Sequence, residues 1–129
     1  MTAQPRGYNG YQLTEQSRDN LLRHIPPIYP DVIAHHITHE FDITEQLPPD
    51  AITARVTYMV HSNGVQAAIV KVNGTTTRTY GDSFYHVTIS VDRAAGAKPQ
   101  DSNTLIKDSR NWTVVMPFDL DVVPRFFNF

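Results

Sequence analysis

Residues 52–91 decide the fold, and they read ITARVTYMVHSNGVQAAIVKVNGTTTRTYGDSFYHVTISV. Apolar and polar residues alternate over 52–61, which is the periodicity of a half-buried strand. Asn63-Gly64 and Asn73-Gly74 supply residues that accept the positive φ of tight hairpin turns. With a further turn at Gly81-Asp82, the stretch predicts a meander of four strands at 52–61, 65–72, 75–80 and 84–91.

The flanking sequence predicts one helix and two more strands. Thr14 is suited to cap a helix over 15–24, which two prolines then end. The run 32–41 is rich in β-branched residues and lacks helical spacing, which favours a strand. Residues 102–107 are expected to form one helical turn, and 112–116 a last strand.

These elements predict an α+β fold with a mainly antiparallel sheet and one or two short helices. The 129 residues suit a single domain over 1–129, with an irregular N-terminal arm over 1–13 and an irregular tail over 117–129. No apolar run approaches the roughly 18 residues of a membrane span. The polar first residues do not resemble a signal peptide. We therefore expect a cytoplasmic protein with no membrane partner.

Composition and charge narrow the chemistry. The chain has no cysteine, which excludes disulfides, thiolate metal sites and a cysteine nucleophile. Residues 1–50 hold 3 basic and 7 acidic side chains, whereas 51–110 hold 7 basic and 4 acidic ones. Proteins that follow an extended duplex usually carry a stronger basic surface. A small anionic ligand or a nucleic-acid end fits better, with Lys71 and Lys98 as candidate phosphate contacts.

Two of the predicted strands each contain a histidine and a threonine two residues apart. The tripeptides are His36-Ile37-Thr38 and His86-Val87-Thr88. Side chains at positions i and i+2 of a strand lie on the same face, about 6–7 Å apart. Each tripeptide therefore presents an imidazole and a hydroxyl on one face and turns its apolar middle residue to the core. If the two strands are neighbours, four polar groups converge.

Such a group of side chains suits the cleavage of a phosphodiester. One imidazole takes a proton from an attacking water or ribose hydroxyl, and the other gives a proton to the leaving oxygen. An ordinary histidine pKa, near 6.5, permits both roles near neutral pH. Threonine hydroxyls can donate to the phosphate oxygens. We predict His36 and His86 as catalytic, Thr38 and Thr88 as phosphate-binding, and no metal or other cofactor.

The repeated His-hydrophobic-Thr pattern resembles the 2H phosphoesterase superfamily, which is named for its two His-x-Thr/Ser motifs. The flanks at 29–38 and 85–90 are also similar, and 98–103 resembles the loop after the second motif in RNA-repair-like and phage-associated members. The resemblance covers 11–116 and implies that the motifs lie on adjacent central strands. It implies hydrolysis of a 2′,3′-cyclic phosphate RNA end, a cyclic oligonucleotide or a related nucleotide phosphodiester, in RNA repair or phage anti-defence.

Other interpretations of these residues stay open. A protein of the same fold can bind a nucleotide or RNA end without cleaving it. His35 and His39 share a strand face but lie about 13 Å apart on a strand, too far for one metal ion. Only a helix would make them a His-ligated metal site. A Ser-His-Asp triad would need Ser83 or Ser90, and no Gly-x-Ser-x-Gly elbow is present.

The aromatic residues suggest how a nucleobase is held. Tyr8 and Tyr11, in the predicted N-terminal arm, are the candidates for stacking on a base. Tyr85 alternates with His86 and is therefore expected to face the core. The partner predicted by these residues is a nucleotide or RNA-end substrate.

Overall fold

A computed structural model describes residues 6–51, 53–78 and 83–129. Within these ranges the chain forms an α+β fold with one antiparallel sheet, which confirms the predicted class. The strands are β1 (Arg6–Leu13), β2 (Asp31–Val32), β3 (His36–Thr44), β4 (Ala54–Ser62), β5 (Val65–Val72), β6 (His86–Val91), β7 (Thr113–Asp119) and β8 (Val122–Asn128). The helices are α1 (Glu15–His24) and α2 (Ser102–Leu105), with 3-10 turns at Arg93–Ala95, Pro99–Asp101 and Ser109–Asn111. None of the described helices combines the length and apolar composition needed to cross a membrane.

The sheet curls back on itself. Its strand order is β7-β4-β5-β6-β3-β1-β8, with β2 paired to the end of β6. β7 and β8 are the two edges of this order, yet only Leu120 and Asp121 separate them in the chain. A link of that length spans at most about 10 Å, so the two edges approach each other there. β3 and β6, which carry the His-x-Thr motifs, are neighbours in the middle of the order.

Among the described residues, the meander has three strands rather than four. Asn63 and Asn73 both have positive φ, as their turns require. The predicted third strand is wrong where it is described: 75–78 make only isolated bridges, and β5 pairs directly with β6. The threonines at 75–77 offer no apolar side to bury, whereas β6 brings fully buried Val87, Ile89 and Val91 against β5. Residues 79–82, with the predicted Gly81-Asp82 turn, lie outside the described residues.

Helix α1 begins and ends where the sequence predicts. The Thr14 hydroxyl accepts a hydrogen bond from the Ser17 amide at 3.2 Å, which caps the helix start. Leu21 and Ile25 are buried against the sheet. They share one core with Ile37 and Val87, the middle residues of the two motifs.

The predicted N-terminal arm is wrong for its described part. Residues 6–13 form β1, which pairs with β3 on one side and β8 on the other. Two glycines allow this close pairing. A Cβ atom at Gly7 would lie 1.8 Å from the Phe127 carbonyl oxygen, and one at Gly10 would lie 2.1 Å from that of Ile37.

The predicted irregular tail is also wrong. Residues 113–119 form β7 and 122–128 form β8. Prolines inside a sheet are tolerated on edge strands, where a missing N–H costs no ladder hydrogen bond. Pro117 and Pro124 both lie on the edge strands of this sheet.

The predicted strand over 32–41 is interrupted before the first motif. β2 and β3 are separated by three residues, among which Ala34 has a φ of 45°. Asp31 pairs with Val91, and Ile37 pairs with Val87. The chain therefore advances six residues on this side and only four on the β6 side. The two extra residues form a bulge, a device that turns the following side chains to a new direction. The first residue after this bulge is His36.

Candidate active site

The two motifs meet at the pair Ile37 and Val87. These residues lie opposite each other on β3 and β6 and are fully buried. Because side chains alternate along a strand, the residues on either side of each point away from the core. Because the two strands are antiparallel, His36 lies opposite Thr88 and Thr38 lies opposite His86. Each histidine thus faces the threonine of the other motif.

All four predicted side chains line one cavity of about 390 Å³. The sequence therefore identified a group of residues that the fold does bring together. The remaining lining residues come from β1, from β3 and the bulge before it, from the segment between β5 and β6, and from the loop after β6. They are Tyr8, Ile33, Phe41, Arg78, Pro99, Gln100, Ser102 and Asn103.

His86 is the more enclosed histidine, with 8% of its surface exposed. Its Nδ1 lies 2.9 Å from the Phe84 carbonyl oxygen. A carbonyl only accepts, so Nδ1 carries a hydrogen and donates it. Nε2 lies 3.1 Å from the Ser102 hydroxyl. Burial lowers the pKa of His86, the Phe84 carbonyl opposes that shift, and the Arg78 charge adds to it.

His36 lies on the other side of the cavity, among rings. Its Nδ1 is 3.0 Å from Nδ1 of His35, so one of these two nitrogens donates to the other. The rings of Tyr8 and Phe127 lie 5.4 and 5.1 Å from the imidazole, centroid to centroid. Burial, together with the neighbouring His35 and His86, lowers the pKa of His36 to about 4. His36 is therefore neutral near pH 7.

Arg78 is a cation that the sequence did not single out. It lies half-buried in the cavity wall, on the irregular segment between β5 and β6. Burial lowers the pKa of its guanidinium and Tyr85 raises it, but an arginine stays charged in proteins. Lys71 and Lys98, the predicted phosphate contacts, are exposed and are not part of the cavity wall. No motif marks Arg78, since only the tertiary fold brings it beside His86.

Ser102 is the second residue that the sequence analysis missed. Its hydroxyl is 2.9 Å from the Thr88 hydroxyl and 2.8 Å from the Pro99 carbonyl oxygen. The sequence signal for Ser102 is the segment 98–103, which resembles the loop after the second motif of 2H phosphoesterases, but this resemblance assigns no role to the serine. Ser90, one of the two triad candidates, instead donates to the Gln66 side chain at 2.7 Å.

The two tyrosines predicted to stack on a base have different positions. Tyr8 lines the cavity beside His36. Tyr11 is 1% exposed, and its hydroxyl donates to the Pro49 carbonyl at 2.7 Å, so the stacking role predicted for it is wrong. The two residues are three positions apart on a strand, which places them on opposite faces. Tyr85 is buried, as expected from its alternation with His86.

The histidines of the metal alternative are also separated by the fold. His39 is buried, with Nδ1 2.8 Å from the Tyr85 hydroxyl. His35 is exposed in the bulge before β3, where its Nδ1 contacts Nδ1 of His36. Over 6–51, 53–78 and 83–129, no three His, Asp or Glu side chains are arranged to hold a metal ion.

Comparison of the chain with protein-family models, with curated proteins and with solved structures found no significant match. The evidence for a function is therefore the motif pattern and the geometry of the cavity.

Proposed function

We propose that this protein is a metal-independent phosphodiesterase of the 2H type. Its substrate is a 2′,3′-cyclic phosphate RNA end, a cyclic oligonucleotide or a related nucleotide phosphodiester. The observation that carries the proposal is that His36, Thr38, His86 and Thr88 line one cavity from adjacent strands. That is the arrangement which the resemblance to 2H phosphoesterases implies.

The reaction needs one histidine in each protonation state. A neutral imidazole takes a proton from water as the water oxygen bonds to phosphorus. The bond from phosphorus to the leaving ribose oxygen then breaks, and the second imidazole, protonated, gives that oxygen its proton. Burial lowers the pKa values of both His36 and His86. A bound phosphate raises them, because a nearby negative charge favours the protonated form.

The phosphate group is held by hydroxyls and by one charge. Thr38 and Thr88 lie on the cavity wall within their own motifs and donate to the non-bridging oxygens. Arg78 supplies the positive charge in a partly buried setting, where electrostatic attraction is stronger than in water. Donors fixed where negative charge gathers in the transition state lower the barrier without further reorganisation.

The nucleobase lies on the aromatic side of the cavity. Tyr8 and Phe41 both line it, with ring centroids 6.0 Å apart and nearly parallel planes. Phe41 is 62% exposed, which leaves its ring face open to a base. The stacking of a base on an aromatic ring contributes about 1–3 kcal/mol. The cavity volume suits a nucleotide unit rather than a duplex. The compartment that we propose for the reaction is the cytoplasm.

A second candidate function is binding without turnover. The observation in its favour is that burial lowers the pKa of both histidines, so that neither is a ready proton donor near pH 7. Such a protein would hold a nucleotide or RNA end and release it unchanged.

The test is a substrate panel with EDTA present. It contains 2′,3′-cyclic mononucleotides, RNA with a cyclic phosphate end, and 3′,5′- and 2′,5′-linked cyclic di- and trinucleotides. We expect wild type to cleave at least one, and His36→Ala and His86→Ala each to lose about 10²–10⁴-fold in kcat. Thr38→Ala and Thr88→Ala should lose less.

His61→Ala is the matched control, because His61 is exposed and is not part of the cavity wall. It should keep wild-type activity. Full activity in His36→Ala or His86→Ala would overturn the mechanism, and loss of wild-type activity in EDTA would indicate a metal enzyme. Ligand binding without any product would favour the binding function.

A further inference from the structure

Ser102 places a buried hydroxyl between the two halves of the second motif. The residue is 1% exposed and begins α2. Its Oγ lies 3.1 Å from His86 Nε2, 2.9 Å from Thr88 Oγ1 and 2.8 Å from the Pro99 carbonyl oxygen. The proposed reaction gives this hydroxyl no role.

The number of hydrogen-bond donors available around Ser102 depends on the charge of His86. A serine hydroxyl has one hydrogen and can donate to one acceptor at a time. In neutral His86 the hydrogen is on Nδ1, facing Phe84, so Nε2 is an acceptor. Ser102 can then donate either to Nε2 or to the Pro99 carbonyl, but not to both. Thr88 is a poor substitute donor for that carbonyl, because its hydroxyl lies 3.4 Å away.

Protonated His86 removes this conflict. Nδ1 donates to the Phe84 carbonyl, Nε2 donates to Ser102 Oγ, and Ser102 donates to the Pro99 carbonyl. Every acceptor in this chain then has a donor. A hydrogen bond that forms with the charged state favours that state. Ser102 thus opposes the burial that disfavours a charge on His86.

We propose that Ser102 is a positioning residue that holds the catalytic proton on Nε2 of His86. Its hydroxyl turns from the Pro99 carbonyl to Nε2 when His86 gives up the proton, and turns back when the proton returns. The catalytic part of this inference rests on the proposed function. It applies whether His86 serves as the acid or the base, because His86 is protonated at one stage in either role.

Groups from the segments packed around His86 also affect how readily it takes up a proton. Arg78, from the segment between β5 and β6, disfavours the charge, and so does any charge on His36, which lies on β3. β5 places apolar Ile69 opposite His86. Among the hydroxyls and carbonyls at His86, those of Phe84 and Ser102 are within 3.1 Å of the ring nitrogens.

The first readout needs no substrate. The His86 Cε1–H resonance is followed by NMR against pH in wild type, Ser102→Ala, Ser102→Thr and Thr104→Ala. We expect Ser102→Ala to lower the His86 pKa by about half a unit to one unit, since it removes the acceptor for Nε2–H. Ser102→Thr keeps the hydroxyl and should restore the wild-type value. Thr104, exposed on the same helix, should have no effect. The resonance of buried His39 reports whether each variant is folded.

The second readout is turnover of the cleaved substrate. Ser102→Ala should lower kcat about tenfold or more with little change in KM, and Ser102→Thr should recover most of it. An unchanged or raised His86 pKa in Ser102→Ala overturns the inference, and so does an unchanged kcat. If wild type cleaves nothing while Ser102→Ala lowers the pKa, the proposed function fails and the coupling of Ser102 to His86 stands.

Discussion

His36 and His86 come from identical local patterns but have different surroundings. His86 has a fixed tautomer, set by the Phe84 carbonyl, and both of its ring nitrogens have protein partners. His36 is held by ring contacts and by His35, which is itself exposed. Changes around His86 should therefore act through hydrogen bonds and charge, whereas changes around His36 should act through packing and desolvation.

Arg78 is expected to bind phosphate and to disfavour a charge on His86. Arg78→Gln should raise KM about tenfold or more, because it removes the one charged donor that we assign to the phosphate. It should also raise the His86 pKa, since the Arg78 charge lowers it. Kinetics and the His86 NMR titration measure both effects.

Arg110→Gln is the control for Arg78→Gln, since Arg110 pairs with Asp108 at the surface, away from the cavity. It should change neither KM nor the His86 pKa. A His86 pKa that falls in Arg78→Gln would contradict the assigned electrostatics.

The low pKa of His36 makes the stability of the fold depend on pH. The pKa is about 4 in the folded protein, against about 6.5 in the unfolded chain. Protons therefore bind preferentially to the unfolded chain, and the stability that is present above pH 6.5 is lost as pH falls towards 4. At about 1.4 kcal/mol per pKa unit, His36 contributes at most about 3.5 kcal/mol to this loss.

His36→Gln removes that titration. Urea unfolding at a series of pH values should show a shallower loss of stability below pH 6.5 in His36→Gln than in wild type. Identical pH dependence in the two proteins would mean that His36 titrates normally in the folded state.

At the scale of elements, the sequence predicted correctly those helices and strands that are determined by residues close together in the chain. Helix α1 was found because its cap and its terminating prolines lie within the same short segment. β1 was missed because its partners are β3 and β8, far away in the chain, and because its glycines interrupt the alternation of a strand. The prolines of 117–129 suggested a tail, but they fit a sheet whose edges are β7 and β8.

The candidate site divides in the same way. His36-Thr38 and His86-Thr88 were predictable since the shared face within each pair follows from strand geometry. Arg78 and Ser102 reach the cavity from two separate connections. No local pattern shows where such connections pass over a sheet. The choice between Tyr8 and Tyr11 likewise required knowing that β1 is a strand.

Gly10 tests the close pairing of β1 and β3. Gly10→Ala places a Cβ atom 2.1 Å from the Ile37 carbonyl oxygen, so the backbones must separate beside the first motif. Gly74→Ala is the matched control, with φ of 83° and no atom within 4 Å of the added Cβ. Its cost is backbone strain of about 1–2 kcal/mol.

We expect Gly10→Ala to lower the free energy of unfolding clearly more than Gly74→Ala, as measured by urea denaturation. Equal effects of the two substitutions would show that β1 does not approach β3 so closely.

At the scale of the whole molecule, the last strand packs against two residues of the cavity wall. Phe127 of β8 lies 5.0 Å from the Tyr8 ring and 5.1 Å from the His36 ring. Phe127→Ala should therefore raise KM several-fold. It should also lower the free energy of unfolding. The loss should be smaller than the about 3–5 kcal/mol typical of a fully buried phenylalanine, because the Phe127 ring is half-buried.

Phe126→Ala is the matched control, because Phe126 is the half-buried neighbour on the opposite face of β8. It should destabilise the protein with no change in KM. Equal KM values in the two variants would show that the packing of Phe127 does not affect substrate binding. Steady-state kinetics and thermal unfolding provide the two measurements.

The pairing of β1 with β8 also bears on how the protein is made. β1 ends at Leu13 and β8 begins at Val122, so a ribosome adding about 5–20 residues per second needs about 5–20 s between them. During that time the nascent chain has an uncovered strand edge, with Tyr8 exposed on it. Such edges invite pairing with other chains. An unfinished chain that lacks β8 is therefore expected to associate with other chains more readily than the finished protein.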